Sequence, residues 1–317
     1  MNKIIKIILL LVLALSTLLK SASANEKIKI GLLIPLTGKN SEIGRSIINS
    51  TRLAINKINN TSIDIIPKDT ESNPNTALKS AKELYDLGVK IIIGPVFNET
   101  QEYLDELKEI TFLSLTNKSD NSSNNIINSG INATSQIKAI KKFIELNEIK
   151  KTIFLTPDVN YKNEINKAIS NSKINIIKNH IYNKDPTKLT NQIEKITNYK
   201  KRKQNLEDEI TRLEKSDEIN KDRLIENLKK KDTLGSVDFD SLIIADFDES
   251  LKSVTTSLLY TDISPREKFF ITLNQWFDES LLKETSSHPL YFPSINKINY
   301  EEFSAEYFKK FNHYPNQ

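Results

Sequence analysis

The chain has 317 residues, with 45 Lys and Arg against 41 Asp and Glu and no cysteine. Without thiols it has no disulfides, no cysteine nucleophile and no lipid anchor attached through cysteine. Lys3, Lys6 and Lys20 fall in the first 24 residues, which leaves 42 basic side chains against 41 acidic ones and no general electrostatic pull toward nucleic acid or anionic membrane.

The N-terminus reads as a targeting segment. Lys3 and Lys6 precede an apolar run from Ile7 to Leu19, and Ala22-Ser23-Ala24 supplies small residues at a cleavage-like site. The run is shorter than the roughly 20 residues that span a bilayer. Cleavage after Ala24 is expected, giving a soluble, exported protein with no membrane insertion of the mature chain. The remaining length, on the order of 290 residues, suits two domains with apolar cores.

From Ile28 onward, short apolar strands alternate with amphipathic helices. The strand Ile28–Ile34 runs into Pro35-Leu36-Thr37-Gly38, and Gly44 opens a helix carrying Ile43, Ile47, Ala54, Ile55 and Ile58. A strand from Ile63 to Pro67 ends at Asp69…Pro74. The next helix, Asn75–Leu87, places Ala77, Leu78, Ala81, Leu84 and Tyr85 on one face, with Asn73 or Asn75 as cap and Pro74 at its entrance. A third strand ends in Gly94-Pro95. A helix is expected over 98–109, then a strand Phe112–Leu115, then an exposed polar loop over 117–129. Strands apolar on both faces imply parallel sheets covered on both sides, whose carboxyl-end turns form the binding crevice.

Beyond Gly130 the alternation restarts, with helices at 135–146, 161–170 and 250–259 and strands at 152–155, 174–177, 241–245 and 269–273. Between the strands at 174–177 and 241–245 lies a long interruption. From Lys200 to Asp232, 20 of 33 residues are charged, with Leu206, Ile210 and Leu213 on one stripe and Leu224, Ile225 and Leu228 on another. Two short amphipathic helices broken at Ser216-Asp217 fit this pattern. They form either a solvated hairpin or a partner-docking arm. The expected organisation is a signal peptide at 1–24, a first lobe at 25–130, a second lobe at 131–273 with the insertion at 196–233, and a return segment at 274–317 toward the first lobe, incomplete at its C-terminus. The fold class is α/β: two Rossmann-like lobes with parallel sheets flanked by helices, plus the inserted charged helical hairpin.

Pro35-Leu36-Thr37-Gly38 with Gly44, the Asp69…Pro74 turn, and Ala81…Leu87-Gly88-Val89…Gly94-Pro95 resemble the type I periplasmic binding proteins of the leucine/isoleucine/valine-binding kind. The similarity continues through Thr156-Pro157-Asp158…Tyr161 and the late helix with Phe303, Tyr307, Phe308, Phe311, His313 and Pro315. The charged insertion, Asp232-Thr233-Leu234-Gly235, Val237-Asp238-Phe239-Asp240-Ser241-Leu242, Gly94-Pro95-Val96-Phe97, Ser114-Leu115-Thr116-Asn117 and Trp276 resemble, more narrowly, the penicillin-binding protein activators. That resemblance implies a non-enzymatic periplasmic regulator that contacts a peptidoglycan synthase (a penicillin-binding protein). The broader one implies a receptor that delivers a small-molecule ligand to an ABC permease. A scaffold with neither role is the third reading.

Catalysis has little to stand on. His180, His288 and His313 sit in no metal pattern, and neither a nucleophile elbow nor a phosphate loop is present, so no cofactor or metal is expected. Glu99, Asp246 and Asp248 leave a two-carboxylate hydrolase formally open. For a ligand held between the lobes, the candidate contacts are the strand-end residues Asn98, Thr100, Ser114, Thr116, Asn117, Tyr161, Asp246 and Asp248. The alternative is that Thr100 and Thr116 cap turns and Asp246 solvates a strand end. The turn Phe97-Asn98-Glu99 departs from an amino-acid receptor, because Glu99 would repel the solute's own carboxylate. Trp276 and Phe277 read as a packed corner.

Overall fold

The computed structural model describes residues 27–59, 62–118, 123–273 and 285–316. They form two compact units. One combines the stretch through Gly130 with Glu301 onward, and the other runs from Ile131 to Tyr300. The signal segment, Trp276 and Phe277 lie outside the described residues.

The first unit holds β1 (Ile28–Ile34), β2 (Ile63–Asp69), β3 (Ile91–Ile93), β4 (Thr111–Ser114) and β5 (Ile126–Asn128) in the order β2-β1-β3-β4-β5, all parallel. Helix α1 spans Ser41–Ile58 and α2 Pro74–Asp86. The α2 cap is Asn73, whose side chain accepts from the amides of Asn75 (2.9 Å) and Thr76 (3.1 Å). Leu33, Ala77, Ala81, Leu84, Ile92, Leu104 and Phe112 make the core on the α2 side.

Three expectations for this unit change, and one for the other. The α1 stripe is rotated: Ser46, Asn49 and Leu53 are buried, whereas Ala54 and Ile58 are exposed. The cause is the return helix, because Asn49 Nδ2 donates to Tyr307 Oη at 3.1 Å and the Asn316 amide donates to Ser46 Oγ at 2.9 Å. The helix expected over 98–109 is instead two 3-10 turns, Asn98–Gln101 and Leu104–Glu106, separated by Tyr103 at φ 72°. The polar loop over 117–129 contains β5, where Ile126 is buried against Phe112 of β4. The second unit extends past 273 to Tyr300, since β10 (Leu290–Tyr291) pairs with Phe270 and Ile271 and so completes the second sheet.

The second sheet runs β10-β9-β8-β6-β7, with β6 at Thr152–Pro157, β7 at Lys178–Tyr182, β8 at Ser241–Ile244 and β9 at Phe269–Thr272, again all parallel. Helices α3 (Ala133–Leu146), α4 (Lys162–Ser172), α5 (Pro186–Ile196) and α8 (Asp248–Tyr260) flank it. The strand expected at 174–177 lies four residues later. Ile174 belongs to the core beneath α3 and α4, and the ladder to β6 begins only at Lys178.

The insertion forms α6 (Tyr199–Glu214) and α7 (Lys221–Leu228). Leu206 and Leu213 are buried, and so is Arg202. Its guanidinium donates to the carbonyls of Gly235 (3.2 Å), Thr261 (3.0 Å) and Asp262 (3.2 Å) and to Thr233 Oγ1 (2.6 Å), with the Asp262 carboxylate 3.6 Å away. Burial lowers the Arg202 pKa while Asp262 opposes that shift. The last helix, α9, spans Lys297–Phe311.

Candidate functional site

In a parallel sheet, ligands are met where the connections from neighbouring strands leave in opposite directions, at the strand carboxyl ends. In the first sheet that point lies between β1 and β3, and in the second between β6 and β8.

The first-unit turns are stitched together by their own side chains. Asp69 Oδ1 accepts from the amides of Leu36 and Glu71, each at 2.8 Å, and Oδ2 accepts from Thr37 Oγ1 at 2.7 Å. Burial pushes the Asp69 pKa up, but the hydrogen bonds from Thr37, Glu71 and Leu36 outweigh it and hold the carboxyl below its ordinary range. The sequence landmarks Thr37 and Asp69 thus meet each other.

The β3 and β4 turns behave alike. Thr100 is buried and its hydroxyl donates to the Phe97 carbonyl at 2.7 Å. Ser114, fully buried, accepts from the Gln101 side-chain amide and from the Thr116 amide (3.3 Å) and donates to the Pro95 carbonyl (3.3 Å). Thr116 is buried and accepts from the Lys118 amide at 3.3 Å. Asn98 is half-buried, whereas Glu99 and Asn117 are exposed. Gly94, at φ 112°, lies so close to β1 that a Cβ there would stand 2.1 Å from the Leu33 carbonyl oxygen.

In the second unit the β8 end carries a buried carboxylate. Asp246 has no solvent exposure. Its Oδ2 accepts from Tyr182 Oη at 2.5 Å and Ser250 Oγ at 2.6 Å, and its Oδ1 from the Phe247 amide at 2.9 Å. Lys184 Nζ stands 2.8 Å from Oδ1, and Tyr161 Oη reaches both Oδ1 and the Ala245 carbonyl at 3.4 Å. Burial first, and the carboxylate second, push the phenols of Tyr161 and Tyr182 above the usual tyrosine range. Asp246 and Tyr161 are therefore brought together. Asp248 is exposed, at φ 51°, and starts α8.

Sequence reasoning missed Tyr182, Lys184 and Ser250. Ser250 follows Asp246 by one helical turn, a spacing that a strand-to-helix reading of 241–260 could have used. Tyr182 and Lys184 come from the displaced β7, so no local signal linked them to Asp246. The Asp246 carboxyl is thus surrounded by one ammonium, three hydroxyls and one backbone amide, which tie β7, β8 and the start of α8 together. Among the described residues, no group of His, Asp or Glu could hold a metal ion. No described helix is long and apolar enough to cross a membrane.

No curated protein matches the sequence. Among solved structures, a putative branched-chain amino acid ABC transporter protein from Rhodospirillum rubrum is similar at 12% identity and TM-score 0.61, over 92% of this chain and 79% of that one. A branched chain amino acid ABC transporter periplasmic ligand-binding protein from Burkholderia xenovorans LB400 is similar at 12% identity and TM-score 0.55, over 92% and 74%. The C-domain of LpoA from Haemophilus influenzae, a regulator of PBP1A, is similar at 15% identity and TM-score 0.50, over 77% and 65%. At such identities the likeness is one of fold. The family described as periplasmic binding protein matches residues 27–198, more than half of the sequence. With two five-stranded parallel sheets behind that match, the chain belongs to the periplasmic binding protein family.

Proposed function

We propose that this chain is a non-catalytic periplasmic regulator of the penicillin-binding-protein-activator kind, stimulating peptidoglycan synthesis by contact with a synthase. The observation that carries the reading is the saturation of the strand ends. Asp246 is occupied by Lys184, Tyr182, Ser250 and Phe247, so the buried anion that would attract a solute's ammonium already holds one from the chain itself. Thr100, Ser114 and Thr116 are likewise buried and bonded within the fold. A solute would have to break these bonds, each worth about 0.5–3 kcal/mol with charged partners at the upper end. The fold of the LpoA C-domain, a regulator of PBP1A, agrees with such a role. Affinity capture from a periplasmic extract tests it. Recovery of a peptidoglycan synthase is expected, and its consistent absence overturns the reading.

A receptor for branched-chain amino acids or similar small molecules, serving an ABC importer, is the second reading. It is favoured by the exposed Asn117 and Asp248 and the half-buried Asn98, which leave polar groups at the strand ends for a solute. A ligand that binds only the folded state adds about 2.7 kcal/mol at 100 times its Kd. A thermal-shift screen of amino acids, peptides and sugars with no stabilising compound removes it.

A further inference from the structure

The first sheet is closed more fully on one face than on the other. Leu33, Ile92, Phe112 and Ile126 fill the face toward α2, all of them buried. Parallel sheets ordinarily have both faces covered. Alternate residues of a strand point to opposite faces. Ile66 of β2 packs toward α2, so Ile63, Ile65 and Pro67 belong to the face toward α1. There Ile63 and Ile65 are only half-buried, and Pro67 is exposed.

Helix α1 leaves a gap over that row. Its buried side carries Ser46 and Asn49, which bond to Asn316 and Tyr307. Ile48 and Ile55 instead line a groove of about 290 Å3 together with Ile63, Ile65 and Pro67, and buried Leu32 lies among them. Since β2 is the outermost strand of its sheet, no further strand walls the groove on that side. It runs about 12 Å along α1 from Ile48 to Asn56, at about 1.5 Å per residue. Along β2, from Ile63 to Pro67, it runs about 13 Å at about 3.3 Å per residue.

The polar groups of the groove come from α1. Thr51 Oγ1 donates to the Ile47 carbonyl at 2.8 Å and is thereby satisfied. Arg52 and Asn56, one helical turn apart, are exposed and make no ion pair or side-chain hydrogen bond among the described residues. Arg52 is the one charged residue in the lining. An apolar trough with a single unpaired cation at its rim has the complementary shape and charge of an amphiphile with one anionic end.

We propose that this groove binds a medium-chain alkanoate, a straight alkyl chain ending in a carboxylate. The guanidinium of Arg52 can hold a carboxylate through two parallel N–H donors, and the Asn56 amide offers another donor one turn away. A length of about 13 Å accommodates about ten carbons at C–C bonds of about 1.5 Å. A free amino acid is disfavoured, because no carboxylate lines the groove to meet its ammonium. None of the strand-end residues described above takes part, so the inference stands apart from the proposed function.

Calorimetric titration of the chain from Asn25 onward with saturated carboxylates, hexanoate to tetradecanoate, tests it. One molecule per chain is expected, with Kd falling about fourfold per added methylene and levelling near decanoate. Octanol, which carries no charge, should bind at least tenfold more weakly than octanoate. Arg52→Gln should lose that preference while binding octanol as the wild type does. Because the arginine side chain has no partner, this variant should keep its circular dichroism and its ligand-free melting temperature. Ile55→Trp, which fills the groove, should abolish binding of both compounds. Absence of decanoate binding at about 1 mM overturns the proposal. So does a Kd indifferent to chain length, octanol binding as tightly as octanoate, or an Arg52→Gln chain that binds octanoate like the wild type. A dimer whose second copy fills the groove, and which decanoate does not dissociate, overturns it as well.

Discussion

Lys184 Nζ lies 2.8 Å from Oδ1 of Asp246, a carboxylate with no solvent exposure, while the lysine side chain keeps 35% of its own. The pair spans two elements: Lys184 follows β7 and Asp246 follows β8. Removing the buried member leaves the Tyr182 and Ser250 hydroxyls without their acceptor. Asp246→Ala should therefore cost about 3 kcal/mol in urea unfolding, near the lower end for breaking a buried pair because Lys184 can turn to water. Lys184→Met should cost less, roughly 1–2 kcal/mol, since hydroxyl and amide donors still face the anion. Equal losses from both would show that the ammonium, not the donor network, holds the carboxylate.

Arg202 is the fastening of the arm. Its loss orphans the carbonyls of Gly235, Thr261 and Asp262 and frees the base of α6. Arg202→Ala should destabilise by roughly 2–4 kcal/mol. Lysine should not rescue it, because a single ammonium cannot reach the diverging acceptors that the planar fork serves. Hydrogen exchange should accelerate over 199–235 before it does in β6 and β8.

Mild acid should weaken the second unit through His180. Burial lowers its pKa below 6.5, with Lys178 adding to the effect. The folded state then takes up a proton less readily than the unfolded one, so stability is complete above about pH 6.5 and declines as pH falls below it. His180→Gln should flatten the melting-temperature profile between about pH 6.5 and 5. An unchanged profile would assign the slope to other groups.

Gly44 should accept no side chain. A Cβ there would lie 1.8 Å from the Pro35 carbonyl oxygen, which is backbone and cannot swing aside. Gly44→Ala should cost roughly 2–3 kcal/mol, in the range of overpacking that shifts the main chain. Calorimetry of the variant checks it.

The strands apolar on both faces, β1, β3, β6 and β8, were legible because central parallel strands need no polar side. Edge strands were harder. β7 carries Lys178, Asn179 and His180, and the apolar Ile174 ahead of it drew the eye to residues that fill a helix-facing core instead. β5 was hidden by its three-residue length inside an Asn/Ser-rich stretch. Of the candidate site residues, Asp246 and Tyr161, both named from strand-end logic, lie within hydrogen-bond reach of each other. Lys184 and Tyr182 reach them only through the sheet order, which no local pattern encodes. The α1 stripe failed for a related reason: its buried polar face, Ser46 and Asn49, is explained by partners at 307 and 316, far along the chain.

That last contact sets an order of assembly. The bond from Asn49 to Tyr307 makes the first unit out of the two ends of the sequence, whereas the second is one uninterrupted stretch. A polypeptide made N-terminus first supplies all of 131–300 before Tyr307 arrives. The unit begun first is therefore still open when the second is already supplied, with the Ser46 and Asn49 face of α1 left wet until α9 docks.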